Sequence, residues 1–334
     1  MKKTGKNNCL TDVKGLLVGQ FTSIEAASGV TVVLCTEGAV GGVDVRGSAP
    51  GTRETDLLDP VNLVEKVQAI VLSGGSVYGL STADGVVSWL ARRGFGFSLA
   101  DGNVAPIVPT ASLFDLGRGS GYIPPVGAQW GINACDCASY GLVKSGCVGA
   151  GTGAVAGGMK GGIGSASEVL DSGITVAALI AVNSLGSVIN PQTGAPWEIG
   201  LEIGGEFGDV GKRTVRLAKP DPIDSLSNTT IGVVAVDAAL TKVQCKKIAQ
   251  MAQDGLARAI RPAHTMFDGD TIFCIATGEH VLDNADGFFK VPMAENINQT
   301  GSAAADCVSR SIIHAILNAR TMGRFKAFID LDTM

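Results

Sequence analysis

Short runs of β-branched and other apolar residues alternate along the chain with stretches whose apolar positions recur every three or four residues, the patterns of strands and helices respectively. Gly29–Cys35 and Ala69–Leu72 read as strands, and Ser81–Arg92 has the spacing of an amphipathic helix. Gly94–Leu99 and Val104–Val108 return to a strand or loop pattern. Gly146 to Ser167 is glycine-dense and reads as a loop or loop–helix junction, before Ile174–Val182, a strongly β-branched strand. From Asn190 to Ser227 the pattern breaks down. Pro191, Pro196, Pro220 and Pro222, acidic patches and a polar tail predict an exposed, mobile linker. It ends at Asn228, where Thr229–Val236 predicts a buried strand. Thr241-Lys-Val-Gln244 is a capping-box pattern, opening a helix whose apolar side includes Ile248, Ala252, Leu256 and Ile260 and which stops near Arg261-Pro262. Asp268-Gly269-Asp270 leads into a strand at Thr271–Ala276, and a last helix falls around Ala303–Leu317. The first 15 residues read as a frayed or loosely docked arm, and no internal repeat is evident.

Composition narrows the classes. Of 334 residues, 46% are apolar and only 17% charged, enough for a large core and little charged surface, which suits an αβ layer protein partly hidden in a homo-oligomer. The 46 glycines exceed the usual frequency of about 7% without any triplet period, so they predict tight turns and close backbone approaches. A net charge of −5 with no Lys/Arg run argues against a nucleic-acid partner. The N-terminal lysines precede no apolar signal region and no run of about 18 apolar residues follows, so the expectation is a soluble, cytoplasmic protein without a membrane partner. Eight scattered cysteines, several inside strand-like runs, predict reduced, mostly packed thiols.

The unit from Thr229 to Ala276 carries candidate chemistry. If its two strands lie parallel in one sheet, both strand starts fall at the same edge, bringing Thr229 near Asp268 and Asp270. A hydroxyl on the first residue of a buried strand, behind a flexible linker and beside two carboxylates, is what a self-cleaving nucleophile requires. Cleavage between Asn228 and Thr229 would free the α-amine of Thr229, which then serves as base for its own hydroxyl. Read locally, however, Asn-Thr-Thr is also an ordinary turn before β-branched residues, and Asp-Gly-Asp an ordinary turn or cap.

Six ordered motifs bear on that choice: VDVRGSAPGTRETDLL at Val43–Leu58, LSGGSVYGLSTADGVVSWL at Leu72–Leu90, VPTASLFDLG at Val108–Gly117, VGAGTGAVAGGMKGGIGSAS at Val148–Ser167, NTTIGVVAVDAALTK at Asn228–Lys242 and RPAHTMFDGDTIF at Arg261–Phe273. Together they resemble, over nearly the whole chain, the peptidase family of the L-aminopeptidase/D-esterase type, which also contains the endo-type hydrolase of nylon oligomers. The resemblance implies an αββα sandwich, two stacked β-sheets flanked by helices, in one hydrolase domain 1–334 cut into a large chain 1–228 and a small chain 229–334. It implies Thr229 as nucleophile, Asn228 as the new C-terminus, and Asp268 and Asp270 as the pair holding the nucleophile's amine. Asn183 resembles the oxyanion-stabilising Asn, Lys160 a lysine near the nucleophile, and Tyr78 a pocket tyrosine. Phe114 stands where some members carry a tyrosine, so a hydroxyl contact to substrate is lost there. The implied activity is hydrolysis of amide or ester bonds in short peptides or amino-acid amides through an acyl-enzyme, without cofactor or metal. The alternative is endo-hydrolysis of linear aminohexanoate oligomers, and the implied assembly is tetramer-like.

Other readings compete less well. The glycines at 149–164 formally match a dinucleotide-binding pattern, but no strand–turn–helix with an acidic residue about 20 positions on accompanies them. Met159 stands where a phosphate-binding loop needs glycine before Lys160. Cys135-Asp-Cys137 has no second Cys/His pair at ligand spacing. His264, His280 and His314 are isolated, and His264 reads as a residue that packs or positions rather than as a base.

Overall fold

The computed structural model describes residues 2–216, 228–281 and 293–334. Nine strands form one hydrogen-bonded network: β1 (Leu17–Ser23), β2 (Ser28–Val45), β3 (Gly51–Arg53), β4 (Lys66–Ser73), β5 (Thr110–Ser112), β6 (Gly162–Val169), β7 (Thr175–Asn183), β8 (Thr229–Ala238) and β9 (Thr271–His280). Their order is β6-β7-β8-β9-β2-β4-β5-β3, with β1 on β2. The principal helices are α1 (Thr82–Ala91), α2 (Ala128–Asp136), α3 (Lys242–Ala259) and α4 (Ala294–Leu317).

The long strand β2 belongs to two sheets. Its first half, to Leu34, pairs with β1 and β4; after an irregularity between Leu34 and Ala39, Ala39 and Val40 still meet β4 while Val40–Val45 pairs with β9. Side-chain alternation then makes four layers. Val176, Ala178, Ile180 and Val182 of β7, with Val234 and Ile272, pack against Ile248 and Leu256 of α3 and Ile312 and Ile316 of α4. The intervening Ala177, Leu179 and Ala181, with Val233 and Phe273, face Val33, Ile70 and Leu72 of the other sheet. Val30, Val32 and Val71 on that sheet's far side meet Val86 and Leu90 of α1 and Trp130 of α2. Strands buried on both faces are apolar throughout, which is why β7 and β8 read as unbroken runs. The αββα sandwich follows from that alternation.

The capping box forms as its residues predict: Thr241 Oγ1 accepts from Gln244 N–H, and Gln244 Oε1 from Thr241 N–H at 2.8 Å. The parallel pairing of β8 with β9, Ile231 opposite Thr271, is present as well.

Three expectations are corrected. The N-terminal arm is docked, not frayed. Leu10 and Val13 are fully buried, and Leu10 N–H donates to Ser165 Oγ at 2.8 Å. Within 190–216 the chain packs closely instead of forming a mobile linker: Phe207 and Val215 enter the core, and Trp197 Nε1 donates to the Ser187 carbonyl at 3.0 Å. Isolated large apolar side chains anchor both segments, a signal that proline and charge obscure. The remainder of the expected linker, 217–227, lies outside the described residues. The glycine-dense stretch is only partly loop, because it contains a short hairpin, Val155–Ala156 with Met159–Lys160, and then β6. Gly164 is glycine because α4 crosses there: a Cβ would lie 2.2 Å from the Ser311 carbonyl oxygen.

Candidate active site

Sheet register assembles the centre of the site. Thr229, the first residue of β8 and 4% exposed, pairs directly with Asn183, the last residue of β7. On its other side, Asn228 forms a parallel bridge with Asp268. Three residues distant in sequence therefore meet at one sheet edge through backbone pairing alone. The Thr229 hydroxyl donates to the carbonyl oxygen of Asn228, the bond immediately before it. Gly269 permits this closeness, since a Cβ there would lie 3.1 Å from Thr229 Oγ1 and 2.6 Å from the Ala49 carbonyl oxygen.

Both carboxylates are buried and well supplied with donors. Asp270 Oδ1 accepts from Thr230 N–H at 2.8 Å, tying the carboxylate to the residue after Thr229. Its Oδ2 accepts from His264 N–H at 3.1 Å and lies 2.9 Å from His264 Nδ1. His264 thus positions a site carboxylate, as its place before Asp-Gly-Asp suggested. Asp268 Oδ2 accepts from Thr265 N–H at 3.0 Å and from its hydroxyl, and Oδ1 from Leu185 N–H at 3.4 Å. Burial, and then the neighbouring Asp270 charge, raise the pKa of Asp268.

Asn183 is held from several directions. Its Oδ1 accepts from Val155 N–H at 3.0 Å and from the Arg118 guanidinium at 2.5 Å, while Nδ2 donates to the Phe114 carbonyl at 3.0 Å. Lys160 sits deep in the glycine loop, its ammonium donating to the carbonyls of Ala154 (2.7 Å), Gly161 (3.0 Å) and Gly151 (3.3 Å). Burial pushes its pKa down to about 8. These contacts tie the ammonium to the loop that presents Val155 N–H to Asn183.

A cleft of about 520 Å³ opens over Asn228 and Thr229, walled by Pro50, Val77, Leu80, Phe114 and Phe267 among others, and among the described residues no charged side chain lines it. Phe114 lies in the lining of this cleft. Tyr78 does not: it is 46% exposed and outside the lining, while its neighbour Val77 faces in. Arg118 was missed from the sequence, because an arginine between glycines carries no spacing signal. Among the described residues no cluster of three or more His, Cys, Asp or Glu is arranged to hold a metal ion, and no helix is long and apolar enough to cross a membrane.

The αββα sandwich, with a strand-initial hydroxyl against its own preceding carbonyl, has the Ntn hydrolase fold. The chain belongs to peptidase family S58, whose model matches residues 8–328, and is a hydrolase of amide bonds. It is 45% identical to a Mycobacterium tuberculosis protein described as an uncharacterized aminopeptidase, over 97% of this chain and 98% of that one. It is 27% identical to the 6-aminohexanoate-oligomer endohydrolase of a Kocuria species, over 94% and 88% of the two chains. Among solved structures, the L-aminopeptidase D-Ala-esterase/amidase of Ochrobactrum anthropi superposes with a TM-score of 0.72 at 23% identity, covering 99% of this chain and 91% of that one. That protein represents a variant of the Ntn hydrolase fold.

Proposed function

We propose that this chain cuts itself between Asn228 and Thr229 and then works as an N-terminal-threonine aminopeptidase or amidohydrolase on short peptides, amino-acid amides or esters. The observation that carries the proposal is the Thr229 hydroxyl lying on the Asn228 carbonyl, in register with Asn183. Attack of Oγ1 on the carbonyl carbon shifts the acyl group from nitrogen to oxygen, and water hydrolyses the resulting ester. The products are a carboxylate on Asn228 and a free α-amine on Thr229. In turnover that amine takes the hydroxyl proton, Oγ1 attacks the substrate carbonyl, and the leaving amine departs with a proton. Water then releases the acyl group. Asn183 stabilises the tetrahedral oxyanion through its amide N–H. Asp268 and Asp270 hold the new amine, and Lys160 supports the loop behind Asn183. The two pieces, 1–228 and 229–334, stay in one folded unit, because β8 pairs with β7 and β9 pairs with β2 across the cut.

The apolar walls Pro50, Val77, Leu80, Phe114 and Phe267 support a second substrate class, linear aminohexanoate oligomers, whose methylene runs suit them. The working form in this reading is a cytoplasmic homo-oligomer with a small-molecule substrate, and it engages neither nucleic acid nor membrane. Intact mass under denaturing conditions tests the nucleophile: the 34.0 kDa chain is expected as fragments of roughly 23 and 11 kDa by residue count, and Thr229→Ala as one piece. A wild-type chain that stays whole after prolonged incubation refutes self-processing at Thr229. Comparing an aminoacyl p-nitroanilide with an aminohexanoate oligomer decides between the substrates.

A further inference from the structure

We infer that Arg118 is a positioning residue for the oxyanion site, acting through Asn183. This rests on the proposed roles of Thr229 and Asn183 and goes beyond them. A carboxamide can present either its oxygen or its NH₂ group to a reacting carbonyl, and only the NH₂ group stabilises an oxyanion. Here the choice is made by the donors around Oδ1. Val155 N–H at 3.0 Å and the Arg118 guanidinium at 2.5 Å both claim that oxygen. Flipping the amide would set NH₂ against two donors, at the cost of two hydrogen bonds and a steric clash of hydrogens. Nδ2 is thereby committed to the opposite side, where one of its N–H groups meets the Phe114 carbonyl at 3.0 Å.

The bond to Arg118 is charge-assisted, so it also draws electron density toward Oδ1 and makes the Nδ2–H groups stronger donors. Arg118 is itself braced: the same Nη1 donates to the Gly153 carbonyl at 2.6 Å, and the guanidinium lies 5.8 Å from the centre of the Phe325 ring. Gly153 and Val155 belong to the loop that encloses the Lys160 ammonium. The loop and the arginine therefore grip Asn183 from adjoining positions. Lysine at 118 keeps the charge but not the planar guanidinium that sets Nη1 between the two acceptors and faces the Phe325 ring, so it is expected to hold Asn183 less firmly.

The test is a double-mutant cycle of Arg118→Lys and Asn183→Ala, read by the rate of self-cleavage from intact mass and by hydrolysis of an aminoacyl p-nitroanilide. Arg118→Lys alone is expected to lower kcat by about 10-fold, and Arg118→Ala by about 10²-fold, the range for losing one oxyanion donor, with KM little changed. In the Asn183→Ala background the same changes at Arg118 should have less than about a 2-fold effect, since the group they act through is gone. Guanidinium chloride, well below denaturing concentration, should restore part of the kcat of Arg118→Ala and none of that of the double variant. Equal effects in both backgrounds, a change confined to KM, or absence of rescue would each overturn the inference. Should Arg118→Ala fail to fold, the lysine arm of the cycle decides. Activity that survives in Thr229→Ala brings down the nucleophile reading instead, and the coupling of Arg118 to Asn183 is then judged by the cycle alone.

Discussion

Two buried polar clusters in this protein are built on opposite electrostatic principles. At the sheet edge around Thr229, two carboxylates of like sign are held by backbone N–H groups, the Thr265 hydroxyl and the His264 ring, and the pKa of Asp268 is raised by burial and by Asp270. At α4, Arg310, with none of its surface exposed, bonds Glu206 through Nε at 2.6 Å and Nη2 at 2.8 Å, and His314 Nε2 lies 2.8 Å from Glu206 Oε2. There burial, which alone would raise the pKa of Glu206, is outweighed by His314, Arg310 and Asn8, and the carboxylate is held well below its usual range. The second cluster is balanced and locks three parts of the chain together: the N-terminal arm through Asn8, the segment before residue 217 through Glu206, and α4. The first is unbalanced and opens on a cleft. Unbalanced buried charge marks a place where chemistry uses the imbalance, whereas balanced charge marks architecture.

That contrast predicts separable effects. Thr229→Ala should abolish both self-cleavage and amide hydrolysis, a loss of at least about 10⁴-fold, while leaving the thermal midpoint of the uncut chain close to that of an uncut wild-type sample. Glu206→Ala should do the reverse. It leaves the Arg310 charge buried without its carboxylate partner, at a cost of about 3–5 kcal/mol in denaturant unfolding, with activity per folded molecule retained. Loss of activity at full stability in Glu206→Ala would break the comparison.

The next effect is one of pH at Lys160. Its pKa is pushed down to about 8 from 10.5 by burial, so between those values the unfolded chain binds more protons than the folded one, and this residue makes stability rise with pH. Relative to Lys160→Met, the wild type should gain on the order of 3 kcal/mol between pH 7 and 11 in denaturant titrations. A flat difference would show the ammonium to be as well solvated as in the unfolded chain. Glu206 has the opposite sign: its depressed pKa contributes stability above about pH 4.5 that is lost progressively as pH falls below it, and Glu206→Gln should flatten the acid limb of the stability curve. The smallest effect belongs to the surface. Lys14→Ala removes an exposed ion pair to Glu279 at 2.7 Å and should leave the denaturant midpoint unchanged within error.

Much of the site was legible because its chemistry lies in contiguous motifs. Asn228-Thr229 at a strand entry and Asp268-Gly269-Asp270 before the next strand need only a parallel crossover to meet, and β8 and β9 supply it. Arg118 and the buried cluster at Arg310 were not legible. Their partners lie 65 residues away in the case of Asn183, 104 in that of Glu206 and 302 in that of Asn8, and no local period records a contact between single side chains on irregular segments.

The sequence by itself determined the elements that repeat a period or fill a layer: the unbroken apolar strands β7 and β8, the amphipathic face of α3 with its capping box, and the hydroxyl and carboxylates at their strand starts. Only the tertiary structure decided where the polar and irregular segments go. The N-terminal arm and residues 190–216 pack closely because a few side chains, Leu10, Phe207 and Val215 among them, are buried in the clusters that α4 and the sheets build. Backbone hydrogen bonding and hydrophobic alternation are local enough to be written in sequence, whereas the bond from Arg118 to the Asn183 amide exists only once the sheet edge and the glycine loop have been brought together.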